Sequence, residues 1–458
     1  MEINRRTFLQ TSALAVAGLG MGTGTAVADT NWAKLRKRLG NRLVLPQNPG
    51  YDQLRMPWNH VYAHRRPAAI ARCVRHEDVQ ACLDFASHER IPVAARSGKH
   101  SYAAYSLPEN GLVVDLAGIA AVDVAGRRAR VGAGAQLLPV YEAIGAAGQA
   151  LPAGTCRSVG IGGLTLGGGI SVIGRKYGLT CDRLVSARIV TPDGCLRTAS
   201  AHEEPDLYWA LRGGGGGNFG IVTQFTFRTD PAPGLTVFAL SYPRAASADV
   251  FDAWQEWMAQ APDELWSSCT VEAGPVSSAR VGGAYVGTAK NLVPLLDRMP
   301  PAERTFQEMG YLETMRYYAG NPSSGFPFVA SSRMLRHHVP GSRVAALMDG
   351  QRDGAILFDS FGGALNRVAP DATAFPHRDA RTSAQIFFGA GDRTEAETRR
   401  VVAAVRDGLG AGTTGYVNYI DPEMPDWPTA YYGRNLARLR RVARRYDPDR
   451  VLAFPQGL

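Results

Sequence analysis

The stretch Leu151–Ser171, LPAGTCRSVGIGGLTLGGGIS, limits the possible folds more than any other part of the chain. Seven glycines fall between Gly154 and Gly169, so the backbone is nearly bare, and one thiol, Cys156, stands at the front edge. Glycines at this density weaken helices and strands, and they suit a segment that must come very close to something else. Two more glycine loops accompany it: Arg96–Tyr102, RSGKHSY, after a predicted strand, and the run Gly213–Gly217 that leads to Gly220. The short residues of RSGKHSY let several backbone N–H groups converge on an anion. No GxxxxGK[ST] phosphate loop is present, and none of the three loops reads as the GxGxxG turn that opens a helix in a βαβ unit. Three separate loops instead point to one long ligand wrapped by backbone at several places.

With 458 residues, 45% of them hydrophobic, the chain can build two or three domains. Its start is set apart from them: adjacent Arg5 and Arg6 in NRRTFLQ, a mildly apolar TSALAVAGLGMG, and a small-residue exit at Ala26–Ala28. This resembles a bacterial twin-arginine signal over residues 1–28, and the apolar run is too short and too rich in Gly and Thr to serve as a stable membrane anchor. The expected partner is the twin-arginine export machinery, and the expected location is outside the cytoplasm. Because that route carries folded proteins, a tightly held cofactor loaded before export is expected. The six cysteines contain no C-x-x-C pair, which removes support for a zinc site, although an exported protein could oxidise some of them. The formal charge of +9 includes seven arginines between Arg434 and Arg450. Leu436, Leu439 and Val442 recur there at helical spacing, so the run reads as an amphipathic helix docked by its apolar stripe, and no nucleic-acid partner is expected.

Along the mature chain, His76-Glu77-Asp78 opens a helix whose apolar side is Val79, Cys82, Leu83 and Phe85, and IPVAARSG is a buried strand. Asp193-Gly194 marks a hairpin, and GIVTQFTFRT an alternating strand. Beyond the prolines at 231 and 233 the pattern changes. Strand-like GLTVFALSY, ARVGGAYVG, GAILFDSFGG and SAQIFFGAG are mixed with helical ADVFDAWQEWMAQ, LVPLLDRM and EAETRRVVAAVRDGLG, the pattern of an antiparallel sheet backed by helices. The expected class is α+β in two domains: residues 29–231 around the glycine loops, 232–410 as a substrate domain, and 411–458 returning to the first.

Taken in order, RSGKHSYAAYSL, the Leu151–Ser171 run, YGLTCDRLVSARIVTPDG, DLYWALRGGGGGNFGIVT and YVNYIDP…YYGRNLARLRRVARRYDP resemble the berberine bridge enzyme-like FAD-linked oxidases, whose FAD-binding domain is of the PCMH type. The resemblance covers nearly all of the mature chain. It implies FAD attached by two bonds, from His100 to the 8-methyl group of the flavin and from Cys156 to ring carbon 6, the side chains whose nucleophilicity suits addition to an electron-poor ring. It places the pyrophosphate on backbone groups from Arg96 through Ser97, Gly98 and Lys99 to Ser101. Gly154, Thr155, Gly160, Gly162 and Gly163 come close to the cofactor, as do Gly220, Ile221 and Val222. Val159 stands at a position that gates oxygen, and a small branched residue there favours an oxidase over a dehydrogenase. In GYVNY, Tyr416 lies beside the flavin as the base, with its pKa lowered by cations or hydrogen bonds, and Asn418 follows. Gln385 faces the flavin where some relatives carry a carboxylate, and it cannot act as a base.

Two departures from the family pattern adjoin the attachment residues: Lys99 stands where a second glycine is common, and Arg157-Ser158 replaces a Pro-Thr type pair. The implied reaction is oxidation of an alcohol on a sugar or a glycosylated or polyketide product, with O2 as second substrate and H2O2 as by-product, by a monomer or homodimer. Oxidative cyclisation or desaturation is the catalytic alternative, and a flavin-carrying binding protein is the alternative of another class.

Overall fold

The computed structural model describes residues 30–458, so the export signal read at 1–28 lies outside the described residues. The first four strands are β1 (Leu43–Val44), β2 (Ala69–Arg72), β3 (Val93–Arg96) and β4 (Leu112–Asp115), ordered β1-β2-β4-β3 with β4 parallel to both β2 and β3. The helix His76–Glu89 joins β2 to β3 and buries Val79, Cys82, Leu83 and Phe85. Every residue of β4 is buried, as expected of a parallel strand covered on both faces.

A second sheet combines β5 (Val122–Ala125), β6 (Arg128–Gly132), β8 (Leu184–Val190), β9 (Leu196–Ser200) and β10 (Ile221–Arg228) in the order β5-β6-β10-β8-β9. The short strands β7 (Gln149–Ala150) and β11 (Asp230–Pro231) pair beside it. Asp193 and Gly194 form the turn between β8 and β9, with Gly194 at φ 78°, a conformation that a side chain would strain.

From Gly234 onward one seven-stranded antiparallel sheet dominates: β12 (Gly234–Ser241), β13 (Leu265–Glu272), β14 (Ser278–Val286), β15 (Glu303–Gly310), β16 (Phe328–Leu335), β17 (Gly354–Ser360) and β18 (Thr382–Gly389). Its order is β15-β12-β14-β13-β17-β18-β16. Helices Ser247–Ala259, Gly341–Met348 and Glu395–Gly408 cover one face, and Trp254, Val344 and Val402 form part of the core between. The other face looks toward the glycine loops. The protein is thus a two-domain α+β molecule.

The two halves are interlocked. Helix Tyr311–Ala319, within the second half, packs on helix Leu137–Ala146, and the Tyr311 hydroxyl accepts from Leu151 N–H and donates to the Leu151 carbonyl. The arginine-rich helix Leu436–Tyr446 buries Leu439 and Val442 in the first core. Its Arg438 pairs with Asp206 at 2.6 Å and lies over the Trp209 ring at 4.1 Å, so that part of the basic run is used in docking. Cys73 and Cys82, both buried, have their sulfurs 3.9 Å apart.

Candidate active site

The three glycine loops and the chain's C-terminal segment converge on one cavity of about 590 Å³, a volume typical of cofactor and substrate sites. The first loop leaves the end of β3. Arg96 itself does not line the cavity: its side chain turns into the sheet and donates to Asp115 on the adjacent strand at 2.6 Å. Of the expected stretch, Ser97, Gly98, Lys99, His100 and Ser101 line the cavity and Arg96 does not. Lys99 has φ 67°, in the left-handed region. That explains why glycine is common at this position, since a side chain there costs about 1–2 kcal/mol.

Loops one and two touch backbone to backbone. A Cβ on Gly98 would stand 2.1 Å from the Gly160 nitrogen, and one on Gly160 would stand 2.0 Å from Ser97 Oγ. Glycine at both positions is what lets the loops meet. The contact brings His100 and Cys156, 56 residues apart, onto one cavity together with Gly154, Thr155, Val159, Gly162 and Gly163. Gly220, Ile221 and Val222 line it from the start of β10.

His100 stacks on Trp58 with centroids 4.1 Å apart, and its Nε2 lies 2.9 Å from Ser158 Oγ. Burial pushes its pKa down to about 4, so the imidazole is neutral and nucleophilic near pH 7. The Arg157-Ser158 departure has two uses here: Ser158 orients His100, and Arg157 Nη1 donates to the Gly320 carbonyl across the domain seam at 3.1 Å.

Tyr416 enters the 3₁₀ turn Val417–Tyr419. Its hydroxyl oxygen accepts from the Gly169 N–H and from Asn418 Nδ2, both at 2.8 Å, and Asn418 Nδ2 also donates to the Leu164 carbonyl. Gly167 permits this clasp, because a Cβ there would sit 2.1 Å from Asn418 Oδ1. Burial pushes the Tyr416 phenol up, and the Gly169 amide, Asn418 and the Ile170 amide oppose the shift. The net shift is upward, opposite to the expected lowering: of the two expected sources, hydrogen bonds are present as N–H donors and cations are not among the main influences, and burial outweighs the donors. Gln385, on β18, donates through Nε2 to the Tyr102 hydroxyl.

Several lining residues are not foreseen by the sequence reading. Tyr102 stacks on Tyr419 at 5.5 Å and 9°, and Tyr419 meets Tyr416 edge to face at 5.0 Å. Alternate residues of the large sheet face the cavity, among them Thr270 and Glu272 of β13, Arg280 of β14, and Leu357 and Asp359 of β17. Glu272 and Arg280 form an ion pair, while Phe326, Phe328 and Phe387 make an aromatic wall, with the Phe328 and Phe387 centroids 4.7 Å apart. The period-2 alternation of β17 and β18 is the one available signal, and it does not say which strands are neighbours.

Comparison with known proteins agrees with this geometry. Residues 67–200 match the model of the FAD binding domain family, and residues 415–458 match the family described as berberine and berberine like. An uncharacterised FAD-linked oxidoreductase of Bacillus subtilis is 34% identical over 92% of this chain and 98% of its own. The xylooligosaccharide oxidase of Thermothelomyces thermophilus is 32% identical, with 86% of this chain and 87% of that one covered. The solved structure of wild-type BBE-like 1 of Physcomitrella patens superposes with a TM-score of 0.88 at 28% identity, covering 93% of this chain and 99% of that one. FAD fits the cavity: Gly98 and Gly160 let the two loops meet beneath it, Gly163, whose Cβ would meet no protein atom within 4 Å, leaves the floor bare for a flat ring, and His100 and Cys156 open onto it. On this sequence similarity and shared architecture, the chain belongs to the berberine bridge enzyme-like family of FAD-linked oxidoreductases.

Proposed function

We propose that the protein is an exported oxidase that holds FAD by two bonds, through His100 and Cys156. It removes a hydride from an alcohol group of a sugar, or of a glycosylated or polyketide product, and passes the electrons to O2. The alcohol carbon gives up a hydride and its hydroxyl a proton, leaving a carbonyl, and O2 takes up both electrons and two protons as H2O2. The observation that carries this reading is that a half-buried, neutral His100 and a half-buried Cys156, from different loops, line one cavity beneath the polar and aromatic face of the second domain.

The bound flavin supplies hydride acceptance and O2 reduction. The chain's residues supply the rest. Tyr416 is assigned as the group that takes the hydroxyl proton, because it lines the cavity and N–H donors converge on its oxygen, supporting the phenolate against the upward push of burial. Asn418 positions Tyr416, and Gln385, which cannot take a proton, holds the Tyr102 phenol. The loop from Ser97 to Ser101 holds the pyrophosphate by backbone N–H groups. Val159 lines the cavity three residues after Cys156 and is assigned as the oxygen gate. A sugar substrate is supported by the similarity to a xylooligosaccharide oxidase and by a wall that pairs aromatic faces with the Glu272–Arg280 ion pair, suited to the apolar faces and hydroxyl edges of a pyranose.

The test is acid precipitation of the purified protein followed by a peroxide screen against xylo- and chito-oligosaccharides and polyketide alcohols. Colour retained in the pellet and peroxide with at least one alcohol are expected. Yellow supernatant overturns the covalent model, and silence with every alcohol overturns the oxidase assignment. His100→Ala and Cys156→Ala should each leave one tether, and release of all flavin by either single change counts against two bonds.

A further inference from the structure

Three adjacent strand ends in the second sheet each carry an arginine to one edge. β6 begins at Arg128, β10 ends at Arg228 directly opposite it, and Arg183 immediately precedes β8, the strand on the other side of β10. Arg127, in the turn between β5 and β6, adds a fourth. With Ala125 and Asp230 these residues line a surface depression that shares no residue with the flavin cavity.

The charges are unbalanced. Asp230 is shared between Arg127 at 3.2 Å and Arg183 at 2.8 Å, while Arg128 and Arg228 have no acidic partner among the described residues. Like charges facing each other across a strand pair are destabilising unless something lies between or beside them. The same hairpin can neutralise an arginine, since Arg130 faces Asp123 and bonds it at 2.6 Å. The Arg128–Arg228 pair thus stands out from its own surroundings. Arg183 is held in place: its side chain is 11% exposed, it lies 5.6 Å from the Tyr177 ring centroid, and its buried Nε has no hydrogen-bond partner among the described residues. Burial pushes the Arg183 pKa down and Arg228 pushes it the same way, while Asp230 and Asp182 oppose them without cancelling the shift, so an anion here would add to what the two carboxylates do.

The geometry points to a binding site for a tetrahedral oxyanion, a phosphate or sulfate group, held by Arg127, Arg128, Arg183 and Arg228 on the outside of the FAD-binding domain. Guanidinium forks suit such groups because each presents paired N–H donors to two oxygens. Asp230 sets the positions of Arg127 and Arg183 and leaves the cluster with four guanidinium groups against one carboxylate. A free ion and a group carried on a polymer share this chemistry of recognition.

The experiment is thermal melting of the flavin-loaded protein in inorganic phosphate or in polyphosphate, against potassium chloride at matched ionic strength. A saturable rise in midpoint beyond that in chloride is expected for the unaltered protein, as ligand linkage requires. In Arg128→Ala/Arg228→Ala the affinity should fall by about tenfold or more for each guanidinium lost. In phosphate-free chloride this variant should melt no lower than the parent, since it removes facing like charges. Arg441→Ala, an exposed arginine on the C-terminal helix, should leave the response intact. If the alanine pair fails to fold, Arg128→Lys/Arg228→Lys keeps charge while losing the fork and should bind with intermediate affinity. Saturation by inorganic phosphate assigns a free ion, and a response confined to polyphosphate assigns a polymer-borne group. No response to either beyond chloride overturns the site, as does an equal response in the parent and the alanine pair.

Discussion

The two walls of the flavin cavity are made in different ways. On the first-domain wall, Gly98 and Gly160 are places where a single Cβ would overlap another loop within 2.1 Å, so the surface there is set by backbone path. On the facing wall, Thr270, Glu272, Arg280, Asp359 and Gln385 project from four strands of one sheet, and the surface is set by side chains in register. A wall made of backbone has few ways to vary without losing the fold, whereas a wall of side chains on a regular sheet can be changed residue by residue. Under the proposed function the cofactor sits on the first and substrate choice on the second.

The strongest way to break this contrast is at the clasp. Gly98→Ala places a Cβ against the Gly160 backbone, which has no flexible atoms to yield, and the expected result is loss of about 3 kcal/mol or more of stability, with little flavin retained. Melting temperature and flavin-to-protein absorbance ratio measure both. Gly163→Ala is the sharper partner: a Cβ there meets no protein atom within 4 Å, so folding should be kept. Reduced flavin content in that variant would report the ring lying against this turn. Normal folding and loading of Gly98→Ala would show that the loops do not need to touch.

Next in size is Tyr416→Phe. It should retain flavin and lower kcat by about 10²–10⁴-fold, the usual worth of a positioned proton acceptor. It also leaves the Gly169 N–H and Asn418 without their acceptor, which costs about 1–3 kcal/mol. Turnover within threefold of the parent would move the base to another oxygen on the cavity. On the side-chain wall the expected effect is smaller and of another kind. Glu272→Gln should raise KM about tenfold with kcat nearly unchanged, because the proposed function makes the Glu272–Arg280 pair a substrate contact away from the reacting carbon. A fall in kcat alone would place the pair at the chemistry instead.

The same contrast explains what could be read from the sequence. Backbone-defined features leave a local trace, namely glycines in runs, so the three loops are legible as the bed of one long ligand, while His100 and Cys156 are singled out only through the family resemblance. The arginine-rich helix is legible for a similar reason, through the spacing of Leu439 and Val442. The second domain is read only in outline. β16, FVASSRML, carries Ser331, Ser332 and Arg333 in its middle, yet every residue of it is buried. Two of these side chains find partners far along the chain: Ser332 Oγ accepts from the Tyr416 N–H, and Arg333 Nη2 donates to the Gly410 carbonyl, while Ser331 Oγ and Arg333 Nε have no hydrogen-bond partner among the described residues. Neither partner is visible in a local window. Nor can a sequence show that Glu272 meets Arg280 or that Tyr102 stacks on Tyr419, since both depend on strand order and loop path. Residue types suggest cations or hydrogen bonds that lower the Tyr416 phenol, and amide donors do surround it, but its burial, which no local window shows, pushes it up overall.

Lys99 is the one place where the backbone-defined wall carries a charged side chain, and it gives the smallest predicted effect. Its φ of 67° costs about 1–2 kcal/mol relative to glycine. Burial, and Arg96 nearby, also push its pKa down, so the folded protein bears part of the cost of charging it. Lys99→Gly removes both costs but gives the unfolded chain more freedom, worth about 0.4–1 kcal/mol in the opposite direction. The net change in stability should therefore stay within about 1 kcal/mol. A residue that costs this much conformationally and faces the cradle is best accounted for by what it faces: a cation beside the pyrophosphate. The variant should then fold as well as the parent, melt within a few degrees of it, and load flavin more slowly when FAD is supplied in limiting amount during refolding. Equal loading rates would mean that backbone N–H groups hold the phosphates without the lysine, and that the first wall is a backbone surface throughout.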